Sequence, residues 1–175
     1  MDIYNVLLCG RWRPWCCLAA SRACNRVIVV TILEHGGGAE AFRRFVEIFY
    51  GHCLADPLIG PLFGGGRPEH VPRLTAFEVE TFGGPDGFTR EHGGMPALIA
   101  VHRRLKITEE QRQRFVDLYM ASADEAGLPA DEPFRATLRS HVEFGTEVAK
   151  QNSHAETDAE LHPLRTVPIW DWEKS

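Results

Sequence analysis

Residues 93–115 read GGMPALIAVHRRLKITEEQRQRF, and the fold is decided by how this stretch is read. Pro96 suits the first turn of a helix, where its missing N–H leaves nothing unsatisfied. Leu98, Ile99, His102 and Leu105 recur at i, i+3/i+4 spacing, which predicts one helical face carrying His102 among apolar residues. Thr108-x-x-Gln111 is a capping box and predicts a new helix directly afterwards. An imidazole aimed inward at such a place is either a hydrogen-bonded core residue or a metal ligand, and spacing alone leaves both open.

Working toward the N-terminus, residues 86–94 (DGFTREHGG) read as a loop, and Gly83-Gly84-Pro85 reads as a helix stop. Before it, Arg67-Pro68 opens a helix with His70, Leu74, Phe77 and Thr81 on one face. Pro72 is tolerable in its first turns. A short apolar connection (Leu58, Ile59, Leu62, Phe63) joins it to an amphipathic helix marked by Phe42, Phe45, Val46, Phe49 and Cys53. Asp56-Pro57 ends that helix, because a residue before proline avoids the α region. The run VIVVTIL at 27–33 is only strand length.

Toward the C-terminus, Phe115, Leu118, Tyr119 and Ser122 stripe the helix begun at Thr108, and Gly127 suits its C-terminal end. A last long helix starts near Asp131, with Phe134, Leu138, Val142 and Gly145 on its core side. After Asn152 the chain turns polar and irregular. The closing VPIWDWEKS carries Trp170 and Trp172, which either fold back onto the body or stand exposed as a contact site. The pattern is all-α, with 1–30 an N-terminal extension, 31–152 the domain and 153–175 a C-terminal tail.

Composition narrows the function. A net charge of −5 and a pI near 5.9 argue against a nucleic-acid surface. No apolar run is long enough to span a bilayer. Four of the five cysteines (Cys9, Cys16, Cys17, Cys24) fall in 1–30 and lack metal-site spacing, and only Cys53 lies in the body. This suits a reducing, cytoplasmic setting. Residues 1–30 are a poor secretory signal. They read as a disordered extension or the product of an upstream start codon, with a Cys-rich metal or redox tail as the sharper alternative. There is no phosphate loop, nucleophile elbow or H-E-x-x-H motif. His35, His52, His92, His141, His154 and His162 read as surface or loop residues.

His70 and His102 each sit on an apolar helix face, and a glycine-rich loop between the two helices lets these faces meet. Phe49, Tyr50, Phe63, Leu74, Phe77, Leu98 and Phe115 can line the space between. Such a slot suits a flat apolar cofactor with a central iron.

Several motifs then agree with one family. Phe49-Tyr50 precedes ADPLIGPLF at 55–63, TFGGP follows at 81–85, and VHRRLKIT occupies 101–108. From about Thr31 to Asn152 the chain resembles the truncated haemoglobins, group II. That resemblance implies a two-over-two helical sandwich around non-covalent haem b, with His102 as the proximal iron ligand. It implies Tyr50 and His70 as ligand-stabilising residues on the distal side. It places Phe63 and Leu74 against the haem and Arg73 beside a haem propionate; Phe49, Phe77, Leu98 and Phe115 complete the pocket. Group II members usually carry tryptophan where this chain has Phe115, and a phenyl ring cannot donate a hydrogen bond.

The expected function is reversible binding of O₂ or of another diatomic ligand such as CO or NO, in a monomer or homodimer. One alternative is a haem enzyme with peroxidase-like or nitric-oxide-oxidising turnover. It would need a separate reductase, because no flavin or nicotinamide domain is present. A second alternative is a haem-free helical module that binds a partner through Trp170 and Trp172.

Overall fold

A capping box at Thr31 and Glu34 opens the structure: each side chain accepts the other's backbone N–H. The computed structural model describes residues 30–172. Helix α1 (Ile32–His35) therefore occupies the end of the apolar run read as strand-like. Local capping outweighs the β-propensity of VIVVTIL there, and 27–29 lie outside the described residues. The N-terminal extension and its four cysteines also lie outside them.

Helix α2 (Gly38–Ala55) ends where Asp56-Pro57 predicts. The Asp56 carboxylate accepts the N–H groups of Leu58 and Ile59 and pairs with Arg114 at 2.7 Å. A 3-10 turn at Gly60–Phe63 leads to α3 (His70–Thr81), which starts at His70 rather than at Arg67. Residues 86–94 are not simply a loop, because α4 (Gly87–His92) forms within them. Buried Phe88 anchors it, and the Glu80 carboxylate accepts from both the backbone N–H and the hydroxyl of Thr89. Helices α5 (Gly94–Ala100), α6 (Glu109–Glu125) and α7 (Glu132–Ser153) follow. Thr108–Gln111 caps α6 and Asp131 caps α7.

Helix α2 packs on α3 and α6, and α6 packs on α7. Among the described residues the architecture is all-helical, in the two-over-two arrangement. The core is aromatic. Phe42, Phe45 and Phe49 of α2 meet Phe82, Tyr119 and Phe115, with ring centroids 4.8–5.4 Å apart. Each buried phenyl contributes about 1.5–3 kcal/mol. Such rings need close approach at the turn after α3. A Cβ on Gly84 would stand 2.7 Å from the Val79 carbonyl oxygen, and Gly83 has φ +94°, so TFGGP tolerates glycine there and little else.

The tryptophans fold back. The Trp170 N–H donates to the Thr81 carbonyl at 2.9 Å, and the Trp172 indole N–H donates to the Val30 carbonyl at 2.6 Å. Val167 is buried with Phe88, Met95 and Ile99. The segment after α7 is thus part of the packed body rather than a loose tail. Among the described residues no helix is long and apolar enough to cross a membrane.

Candidate functional site

Helices α3, α5, α6 and α7 enclose a cavity of about 560 Å³. Phe49, Phe63, His70, Arg73, Leu74, Phe77, Leu98, His102 and Phe115 all line it. The expected pocket residues therefore converge on one space. Tyr50 is the exception, since it is buried behind the wall and reaches the cavity only through His70.

His102 does not sit inside a helix. Helix α5 ends at Ala100, and tight turns carry the chain through 101–104. The His102 N–H still donates to Ile99 and keeps the residue on the predicted face. Arg104 and Lys106 then take φ +68° and +51°, which side-chain-bearing residues rarely adopt. The end of α7 holds this strained turn, because Lys106 N–H and Ile107 N–H both donate to Ser153. Spacing alone could not show the break, since a turn and one more helical residue place the imidazole similarly.

The His102 Nδ1–H donates to the Leu98 carbonyl at 2.8 Å. This fixes the tautomer and leaves Nε2, with its lone pair, without a hydrogen-bond partner among the described residues. Burial pushes the imidazole pKa down, only partly opposed by the Leu98 carbonyl, so the ring is neutral near pH 7.

On the other side, Tyr50 Oη lies 2.6 Å from His70 Nδ1 and accepts the Arg67 N–H at 2.9 Å. With one lone pair so used, the O–H has an acceptor only at Nδ1. His70 must then carry its own proton on Nε2. Phe63 packs edge-on against both rings, at 5.6 and 5.9 Å. Burial lowers the His70 pKa; Glu69 opposes that, and Arg67 and Arg73 add to it.

The donor set suits haem. One neutral imidazole offers a free nitrogen, the walls are largely apolar, and Arg67 and Arg73 line the cavity. Those cations can meet anionic propionates. Phe115 lies edge-on against Phe49 at 4.8 Å and brings no donor to the cavity.

Among the lining residues outside the expected pocket set are Glu78, Tyr119 and His141. His141, read as a surface residue, is only 3% exposed. It lies three residues after Leu138 and seven after Phe134, a core position by helical spacing that its polar type concealed. His35 and His52 are likewise engaged, His35 with Asp131 and His52 with Ser122 and Glu125. Cys53 is free and fully buried, and burial, with Asp56 adding, pushes its thiol up to about 12, so it is unreactive.

Comparison with known proteins agrees with this geometry. Residues 31–142 match the family model described as bacterial-like globin. The group 2 truncated hemoglobin YjbI of Bacillus subtilis (strain 168) is 30% identical over 94 residues, covering 54% of this chain and 70% of that protein. The hemoglobin of the thermophilic phototrophic bacterium Chloroflexus aurantiacus superposes with a TM-score of 0.61 at 30% identity, over 68% of this chain and 96% of that one. The truncated oxygen-avid haemoglobin of Bacillus subtilis gives a TM-score of 0.60 at 27% identity, over 67% and 96%. Cavity, free imidazole and family match converge: the chain belongs to the bacterial-like globins, as a haem-binding truncated haemoglobin of the group II type.

Proposed function

We propose that the chain binds haem b non-covalently through Nε2 of His102 and reversibly holds O₂, or another diatomic ligand such as CO or NO, beside His70. The observation that carries this reading is the Nδ1–Leu98 hydrogen bond, which orients His102 as a neutral ligand toward an apolar cavity that also contains His70. When bound, the haem supplies an iron centre to which a diatomic ligand attaches. The protein's own residues do the rest. Arg67 and Arg73 hold the propionates, and the phenyl and leucine walls exclude water.

His70 keeps a proton on Nε2, facing the cavity, and Tyr50 holds it in that tautomer. A neutral hydrogen bond of this kind adds about 1 kcal/mol, about five-fold in affinity. The oxygen-avid relative from Bacillus subtilis supports the choice of ligand. A separate one-electron reductant keeps the iron able to bind O₂. The buried free thiol of Cys53 suits the reducing cytoplasm.

Absorption spectra of the purified chain with haem supplied test the reading. Ferric, ferrous and CO-bound forms should each show a sharp Soret band, lost in His102→Ala. A flat visible spectrum from folded protein would overturn it.

A further inference from the structure

Glu78, Tyr119 and His141 come from α3, α6 and α7 and meet at the cavity wall. All three are buried. The Tyr119 hydroxyl donates to Glu78 Oε2 at 2.8 Å, and His141 Nε2 stands 3.4 Å from the same oxygen. Burial first, and Glu78 next, raise the Tyr119 pKa well above its usual value, so this phenol keeps its proton. Glu78 thus accepts from the Tyr119 hydroxyl and stands beside a ring nitrogen of His141.

The other nitrogen of His141 is different. Nδ1 is buried and has no partner among the described residues. Around the imidazole stand four aromatic rings: Phe82 at 4.9 Å, Phe77 at 5.7 Å, Trp170 at 6.0 Å and Tyr119 at 6.2 Å. Aromatic faces stabilise a cation, and so does an adjacent carboxylate. An imidazole with one unpartnered nitrogen inside a cage of rings, and a carboxylate beside the opposite nitrogen, is a place suited to hold a second proton.

On α3 the nearby Glu80 is turned away to Thr89. Helix α2 presents the rings of Phe42 and Phe45 to Phe82 and Tyr119, α4 presents Phe88 to Phe77, and the C-terminal segment presents Trp170. The other titratable and charged groups lining the cavity are His70, Glu69, Arg67 and Arg73 on one side, His102 on the other, and Arg112 of α6, which is paired with Glu109 and Glu147.

We propose that Glu78 and His141 form a proton-uptake site coupled to reduction of the haem iron. The inference rests on the haem reading above. One electron from an external one-electron donor enters the iron, and one proton from solvent adds to His141 Nδ1; no other bond forms or breaks. The added negative charge in a low-dielectric cavity favours a cation nearby, so protonation and reduction assist each other. Glu78 and Tyr119 are positioning residues that hold the imidazolium. Buried charge is costly, and its placement on a ligand cavity rather than elsewhere in the core accords with a functional use.

Spectroelectrochemistry of the full-length holoprotein between about pH 5 and about pH 9 tests this, since histidine changes charge in that range. Wild type should take up one proton per electron across part of the range, so its midpoint potential falls as pH rises. In His141→Phe and in Glu78→Gln the potential should stay level, while the Soret band persists. A level potential in wild type overturns the proposal. So does a slope kept in both variants, or one lost only in His70→Gln. Should the variants fail to fold, ¹⁵N NMR of wild type decides: His141 Nδ1 should be protonated in the ferrous form and bare in the ferric form at the same pH, and an unchanged signal overturns the proposal. Absence of any haem spectrum in wild type would overturn the haem reading itself, and this site with it.

Discussion

The Tyr50 hydroxyl accepts the Arg67 amide hydrogen at 2.9 Å and donates to His70 Nδ1 at 2.6 Å, so the phenol and the imidazole act as one donor rather than two. Tyr50→Phe and His70→Leu should each speed O₂ release by about five-fold, the worth of one neutral hydrogen bond. The double variant should be no faster than the faster single one, because both changes act on the same N–H, one by deleting it and the other by removing the hydroxyl that holds its tautomer. Stopped-flow release rates measure this, and multiplied effects would show two independent donors.

Phe115 lines the cavity yet brings no N–H to it. Phe115→Trp should slow O₂ release by about five-fold, through an added indole donor. The same stopped-flow assay reads it. An unchanged rate with the Soret band intact would show that the indole cannot reach the ligand.

Asp56 ties the end of α2 to α6 through Arg114, and that pairing, together with the Leu58 and Ile59 amides, holds its carboxyl pKa below the usual range despite burial. Stability from a depressed carboxyl pKa is present above the unfolded value, near 3.9, and is lost as pH falls through the lower folded value. Wild type should therefore lose more denaturant resistance between pH 7 and about pH 3 than Asp56→Asn does. Equal losses would remove Asp56 from the acid response.

Phe45 is fully buried between Phe42, Phe49 and Tyr119. Phe45→Ala should destabilise the fold by about 3–5 kcal/mol in urea unfolding, from lost transfer energy and the cavity left behind. A cost under about 1 kcal/mol would mean that the aromatic cluster repacks.

The segment after α7 supplies Leu164 and Pro168 to the cavity wall and buries Val167 against α4 and α5. A chain ending after Thr157 should remain helical but release haem to an acceptor globin at least about ten-fold faster. Each buried aliphatic side chain is worth about 1.5 kcal/mol or more, and about 1.4 kcal/mol is ten-fold. Unchanged transfer would make the segment a passive covering.

Features set by neighbours along the chain were legible in the sequence. The α6 start follows from Thr108 and Gln111, the α2 end from Asp56-Pro57, and the aromatic stripe of α2 from its spacing. Those set by distant partners were not. Helix α4 is too short for a period to show, and it is held by Glu80 from another helix. The turn at His102 takes a conformation that only the end of α7 supports. His141 looked like a surface residue because its partners, Glu78 and Trp170, lie far away in sequence. The expected pocket was readable because its residues recur on apolar faces, whereas the buried polar cluster beside it breaks the pattern by which a core is recognised.

The hydrogen bond from Trp172 to Val30 spans 142 residues of chain. Closing so long a loop costs entropy that grows only as the logarithm of its length, so the contact is thermodynamically cheap but necessarily late. During synthesis α1 through α7 emerge first and can pair, while the segment that completes the cavity wall is still inside the ribosome. The pocket is thus finished only after every helix around it has emerged, and a nascent chain paused before Leu164 would present an open-sided cleft to free haem in the cell.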